Sequence, residues 1–156
     1  MAVSLAIETP LQDDVRALVA ELNATMIPLT PREFQFQMTV EQMADPAVTL
    51  VVARNEAGEA VGMGAIKDCG EGVAEVKRMF TRPAVRGERV GKAVLAKLEE
   101  LARDKNLTRL VLETGEAEGF KPAYRIYERS GFTRCGRILD YPDAGHNRFY
   151  EKKLVP

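Results

Sequence analysis

Arg86-Gly87-Glu88-Arg89-Val90-Gly91-Lys92-Ala93-Val94-Leu95 orders the rest of the chain. A β-rich run, Ala74-Glu75-Val76-Lys77-Arg78-Met79-Phe80-Thr81, ends just before it, and an amphipathic helix starts inside it. A glycine-bearing turn with basic residues at the mouth of a helix is an anion site. The first N–H groups of the helix are unpaired, and the positive end of its dipole points the same way. Gly87 and Gly91 let the backbone come close to a bulky phosphate. Arg86, Arg89 and Lys92 add charge. The expected ligand is a phosphate or pyrophosphate. A turn that merely starts a helix would look the same over six residues, so the surrounding sequence has to decide.

Two familiar phosphate loops do not fit. A Walker A loop needs four residues between its first Gly and the Gly-Lys pair, then Ser or Thr for magnesium. Here three residues separate Gly87 from Gly91, and Ala93 follows Lys92. The dinucleotide fingerprint Gly-x-Gly-x-x-Gly has a different spacing and belongs between the first strand and first helix of a βαβ unit. A third pattern fits better. Arg86-Gly87-Glu88-Arg89-Val90-Gly91 resembles the pyrophosphate loop of the GNAT superfamily of acetyl-CoA-dependent N-acetyltransferases, Gln/Arg-x-x-Gly-x-Gly/Ala. Arg89 stands where the central Gly is usual, which requires a backbone conformation that a side chain tolerates. Downstream, Ala123-Tyr124-Arg125-Ile126-Tyr127-Glu128-Arg129-Ser130-Gly131-Phe132 resembles the same family's Ala-x-x-Leu-Tyr-x-x-x-Gly-Phe motif, with Ile126 for Leu. Gly131 ends that helix and Phe132 begins a strand. Leu112-Glu113-Thr114-Gly115 is similar to the family's strand-to-loop passage. The resemblance runs from Val48 to Leu154 and does not single out one enzyme.

Bulk properties agree with an ordinary globular protein. The chain has 156 residues, 46% hydrophobic and 29% charged, with a formal net charge of -1. That is enough for one domain, 1–156, with little room for a second. The charge balance gives no basis for gross attraction to nucleic acid or anionic membrane. No apolar run approaches a membrane span, and the N-terminus lacks the pattern of a signal peptide, so a cytoplasmic location is expected. Cys69 and Cys135 are expected to be free thiols. With His146 they do not make a metal site, and no metal is expected.

Ser4 to Ile7 reads as a first strand. Thr9-Pro10-Leu11-Gln12 reads as a helix start with Thr9 as N-cap and Gln12 closing a capping box. Val15, Leu18, Val19, Leu22 and Met26 mark the buried face of that helix, and Pro28 and Pro31 end it. Val40 to Ala44 reads as a short helix. Val48 to Ala53 and Ala60 to Lys67 form a hairpin across Asn55 to Glu59, and Val73 to Thr81 adds a third strand. Helix Val90 to Lys105, strand Arg109 to Glu113, helix Lys121 to Ser130 and strands Phe132 to Cys135 and Phe149 to Leu154 complete the order. The fold class is α/β (α+β): a mixed, largely antiparallel central sheet with helices on both faces. The resemblance implies the same fold, with acetyl-CoA wedged where two central parallel strands splay.

Acyl transfer to an amine needs a bound thioester, a neutral amine, a polarised carbonyl and a proton for the leaving thiolate. By resemblance Tyr127 supplies that proton; its alternative is a ring packed on the sheet, the role expected of Tyr124. The resemblance also implies that Met79, Phe80 and Thr81 pair their backbone with the pantetheine arm, and that Arg86, Gly87, Glu88, Arg89, Val90, Gly91 and Lys92 hold the pyrophosphate. Glu75, expected on one strand face with Lys77, Met79 and Thr81, is a candidate general base against an ion pair with Lys77 or Arg78. Glu113 is a second candidate. Arg78, if core-facing, would need a carboxylate partner. His146, Asp140, Asp143 and Glu33 read as surface residues with an open substrate-contact role.

Three functions stay in play: an N-acetyltransferase acting on a small-molecule or peptide amine, a non-catalytic acyl-CoA-binding or sensor domain, and a phosphate-binding module unrelated to coenzyme A. A homodimer is expected, because the C-terminal strands leave a sheet edge to cover.

Overall fold

Two runs of apolar residues around the Asn55–Glu59 turn, and a third after Gly72, build the meander at the centre of the molecule. The structure is a computed structural model and describes residues 3–29, 38–85, 89–115, 120–139, 141, 145 and 147–154. Among these, seven strands form one sheet. They are β1 (Ser4–Ile7), β2 (Val48–Arg54), β3 (Ala60–Gly70), β4 (Val73–Thr81), β5 (Arg109–Gly115), β6 (Thr133–Cys135) and β7 (Asn147–Lys153). Their spatial order is β1-β2-β3-β4-β5-β7-β6. Only β4 and β5 run parallel; every other neighbouring pair is antiparallel. Helices α1 (Asp13–Met26) and α2 (Val40–Met43) pack on one face through Leu18, Leu22 and Met43 against Leu50, Val52, Met63 and Phe80. Helices α3 (Val90–Asp104) and α4 (Lys121–Arg129) cover the other through Val94, Leu98 and Tyr127 against Val51, Val76, Leu112 and Tyr150. The mixed sheet with helices on both faces is thus as expected.

The start of α1 differs. Its N-cap is Gln12, not Thr9, and no side chain caps it. Thr9 Oγ1 accepts from the Leu11 amide, and Gln12 donates to Glu8 and to the Thr9 carbonyl. Asp13 and Asp14 then open the helix, where acidic residues suit the dipole. Arg54 bridges Glu8 at 2.7 Å and Asp14 at 2.6 Å, tying strand β1 to the helix. The capping box lies instead at α2, between Thr39 and Gln42. Near the C-terminus, β6 begins at Thr133 rather than Phe132, whose ring is committed to the core.

Strand β4 carries one residue too many for its partner. Ala65 pairs with Lys77 and Met63 with Phe80, so Gly64 faces both Arg78 and Met79. Arg78 absorbs the insertion with φ 57, a left-handed conformation that costs a side-chain-bearing residue roughly 1–2 kcal/mol. Such a bulge bends and twists the strand, and here it also inverts the alternation. Before it, Ala74 and Val76 face α3 while Glu75 and Lys77 face away. After it, Met79 packs with the α3 cluster and Phe80 with the α1 cluster. Glu75 and Lys77 therefore do not share a face with Met79 and Thr81. A strict two-residue period misses an inserted residue.

The bulge lets α3 settle on β3. A Cβ on Gly64 would lie 2.4 Å from Met79 Sδ and 2.8 Å from Val94 Cγ1. Gly64→Ala should therefore lower stability by about 1–3 kcal/mol through overpacking. Gly136→Ala, which meets nothing within 4 Å, should leave it near wild type. Denaturant titration of both variants checks the contrast.

Candidate active site

Strands β4 and β5 hydrogen-bond only at one end. Val73 pairs with Arg109, Ala74 with Leu110 and Glu75 with Val111. Past that point β4 continues to Thr81 and β5 to Gly115, and the two part company. No β4–β5 pair follows Glu75–Val111, so a gap opens between the two strands.

The mouth of this wedge is closed by the first turn of α3. The chain leaves β4 through a 3-10 turn at Pro83–Val85, and helix α3 starts after Arg89. Arg89 has φ 63 and ψ 19 and makes no side-chain cap. It thus adopts the left-handed geometry a glycine would take freely. The first intrahelical bond runs from the Ala93 amide to the Arg89 carbonyl at 3.0 Å, which leaves the N–H groups of Val90, Gly91 and Lys92 without a partner inside the helix. A Cβ on Gly91 would meet Ile126 Cδ1 at 3.2 Å and Thr81 Cγ2 at 3.7 Å. Gly91 therefore brings the helix start against both β4 and α4. Lys92 is exposed. Arg86, Gly87 and Glu88 lie outside the described residues, as do His146, Asp140, Asp143 and Glu33.

Beside this turn an open cavity of about 450 Å³ is lined by Lys121, Pro122, Arg125, Ile126 and Arg129. The three cations recur every four residues and so form one stripe of α4. Their spacing is plain in the sequence, but a basic stripe on a helix is more often a solvated face than a site.

Tyr127 is buried from the same helix, its ring against Phe132 at 6.1 Å and Tyr150 at 6.3 Å. Its hydroxyl makes no hydrogen bond among the described residues. Burial, and secondarily the charge of Glu113, raise its pKa well above that of an ordinary phenol. Tyr124 is only half-buried and stacks under the Arg148 guanidinium at 4.0 Å, a packing role as expected.

On the opposite sheet face, next to the point where the strands part, lies a polar cluster. Glu75 is 5% exposed. It pairs with Lys77 at 3.2 Å and accepts a short hydrogen bond from the Tyr141 hydroxyl. Lys77 donates to the same hydroxyl at 2.8 Å. The expected ion pair with Lys77 thus forms, but buried rather than on the surface. Glu113 projects from β5 into this cluster and accepts from the Asn147 side chain. Burial pushes its carboxyl up to about 7, while Asn147 and Lys77 oppose the shift. Tyr141 and Asn147 are contributions that sequence alone did not single out. Both come from a segment about 70 residues beyond Glu75, brought back by the β7 pairing.

Arg78 is core-facing, only 8% exposed. Among the described residues no carboxylate pairs with it: an Nη donates instead to the side-chain carbonyl of Asn23 on α1.

The comparisons with known proteins bear on this geometry. A model of the acetyltransferase (GNAT) family matches residues 15–132. An IAA acetyltransferase of Azospirillum brasilense is 37% identical over 153 residues, covering 97% of this chain and 98% of that protein. A solved structure from Klebsiella pneumoniae, named as an acyl-CoA N-acyltransferase, is 30% identical, superposes with a TM-score of 0.81 and covers 98% of both chains. An aminoglycoside 6'-N-acetyltransferase complexed with coenzyme A, only 16% identical, shares the fold with a TM-score of 0.75 over 98% of each chain. A wedge between two parallel strands, faced by an uncapped helix start, is thus found in a chain matched over most of its length, and the protein belongs to the acetyltransferase (GNAT) family of acyltransferase enzymes.

Proposed function

We propose that the protein is an N-acetyltransferase that moves the acetyl group of acetyl-CoA directly to a primary amine of a small molecule or peptide. The parting of β4 and β5 beyond Glu75–Val111, with Tyr127 on one side and Glu113 on the other, carries this reading. A sensor domain on the same fold would have no use for two carboxyls, Glu75 and Glu113, gathered beside the parting of the strands. One domain spanning 1–156, a cytoplasmic location and a homodimer along the β6 edge belong to the same proposal. Among the described residues no helix is long and apolar enough to cross a membrane.

The residues present suit acetyl-CoA, which supplies the acetyl group as a thioester when bound. The N–H groups of Val90, Gly91 and Lys92, with Arg89 and the Arg86–Gly87–Glu88 segment, would hold the pyrophosphate. Lys121, Arg125 and Arg129 would meet the remaining phosphate. The backbone of Met79, Phe80 and Thr81, beyond the last β4–β5 pair, would meet the pantetheine amides, and an N–H of Met79 or Phe80 would polarise the acetyl carbonyl. Glu113 takes the proton of the acceptor ammonium, directly or through water. The amine nitrogen would then bond to the acetyl carbon as the C–S bond breaks, and the second proton that the nitrogen sheds would end on the departing sulfur, which leaves as the free thiol. Glu75 holds Lys77 and Tyr141 around that exchange and is the alternative base. Tyr127 donates to the leaving sulfur. Its raised pKa keeps the hydroxyl protonated, so it serves as a hydrogen-bond donor more than as a strong acid.

Gly91→Asp should weaken acetyl-CoA binding in calorimetry by about tenfold or more, because it sets an anion and added bulk where phosphate and Ile126 must fit. Arg89→Gly should raise stability by about 1 kcal/mol by removing left-handed strain. It should also flatten the salt dependence of acetyl-CoA binding; unchanged salt dependence would remove Arg89 from the phosphate site.

Tyr127→Phe keeps the ring and should slow turnover by roughly a hundredfold, with acetyl-CoA affinity little changed. Tyr124→Phe should cost much less. Near-full turnover of Tyr127→Phe with chemistry rate-limiting would make Tyr127 structural.

A base must be ionised to act, so kcat/KM should rise with pH through about 7, where Glu113 titrates. Glu113→Gln should remove that limb. The folded state also holds this proton more tightly than the unfolded chain does. Glu113 therefore lowers stability as pH climbs from the ordinary carboxylate range to about 7, and Glu113→Gln should abolish that slope in pH-dependent melting. A profile unaltered by the substitution would shift the base to Glu75.

A further inference from the structure

Arg78 is more than nine-tenths buried, yet among the described residues its Nε has no hydrogen-bond partner. Its neighbour along the strand shows the contrast. Arg82 receives the carboxylate of Glu21 on α1, with Nε at 3.0 Å and an Nη at 2.9 Å. Two residues further along the same helix, Asn23 offers Arg78 only a neutral carbonyl. A buried cation without a counter-charge is costly, and the cost is removed when an anion arrives. The backbone beneath it is strained as well, with φ 57 at the bulge. Strain of this kind persists where the surroundings force it and clusters at ligand sites. Burial pulls the guanidinium down to about 10, so it remains charged at neutral pH.

Its position matters as much as its isolation. The bulge sets Lys77 and Arg78 together on the face away from α3, next to the residues where β4 leaves β5. Glu75 and Glu113 occupy that same face. Lys77 is already engaged by Glu75 and Tyr141, which leaves Arg78, among the described residues of this face, as the cation without a carboxylate. The acceptor half of the wedge thus presents carboxylates suited to an amine and, within three residues of strand, a cation suited to an anion. Strand geometry limits that separation to roughly 10 Å. A guanidinium edge presents two parallel donors that match a planar carboxylate, and a single negative charge neutralises it.

We infer that Arg78 is the anchor for a carboxylate on the acceptor, so that the substrate class is a small amino carboxylate whose amine points toward Glu113 and Glu75. This rests on the acetyl-transfer function proposed above and narrows its acceptor. A bare polyamine would bring a cation toward Arg78 and be repelled.

The test uses the common L-amino acids, each beside its amide and its decarboxylated amine, with acetyl-CoA saturating and release of the coenzyme thiol as the readout. Amino carboxylates should exceed their matched amides in kcat/KM by about tenfold or more, mainly through KM. Arg78→Gln and Arg78→Lys should erase that preference while turnover of the decarboxylated amines and the affinity for acetyl-CoA stay within a few-fold. Arg78→Gln should melt no lower than wild type, because it removes an uncompensated buried charge. Calorimetry of the same amino acids on the protein saturated with coenzyme A gives a readout independent of turnover. Binding that requires Arg78 in the absence of any acetylation would support the anchor and overturn the transfer function. Turnover of decarboxylated amines with no gain from a carboxylate, or an equal loss for all acceptors in Arg78→Gln, would overturn the anchor and leave the transferase standing.

Discussion

The inserted residue in β4 is the constraint on which the rest of the site depends. Gly64 faces two residues where a regular ladder would have one, and Arg78 takes a left-handed backbone to make room. The strand bends there, and its pairing with β5 goes no further than Glu75. Without the bend, β4 and β5 would continue as a sealed parallel pair with no unladdered backbone between them. The bulge also reverses which residues face which helix layer. It sends Met79 and Thr81 toward α3 and leaves Lys77 and Arg78 together on the face of α1.

Small residues make this affordable. Gly64 and Gly62 let α3 lie close to β3, where Val94 and Val90 fill the space their side chains would occupy. Gly91 does the same between the first turn of α3, the end of β4 and Ile126 of α4. The helix start is thereby held at the mouth of the wedge. Its open N–H groups and the cations of α4 gather on one side of the sheet, and the carboxylates and Arg78 on the other. In the proposed reaction two ligands would meet across a gap in the sheet, each on its own electrostatic terrain.

The two acidic groups differ through their neighbours rather than their chemistry. Glu75 has a cation and a phenol in contact, so its charge is spoken for. Glu113 is desolvated, accepts a hydrogen bond from an amide, and is pushed up to about 7. The arginines divide in the same way: Arg82 is neutralised by Glu21, and Arg78 keeps an unmatched charge. Sites that bind and react tend to hold the unmatched members of such pairs.

The sequence by itself determined the element order, the family and the glycine-bearing helix start after β4. Apolar periodicity, the spacing of Arg86 to Gly91 and the run from Ala123 to Phe132 are all local in the chain, and local patterns are legible there. It also separated Tyr127 from Tyr124 by motif position alone. It could not reveal the bulge at Arg78, because an inserted residue is defined by the partner strand. It joined Glu75 and Lys77 to Met79 and Thr81 on one face for that reason. Neither could it distinguish Glu75 from Glu113, since their difference arises from Tyr141 and Asn147, which the sheet returns from far along the chain. The missing carboxylate at Arg78 was likewise decided in three dimensions: only the packing of α1 determines that Asn23, and not Glu21, stands opposite it.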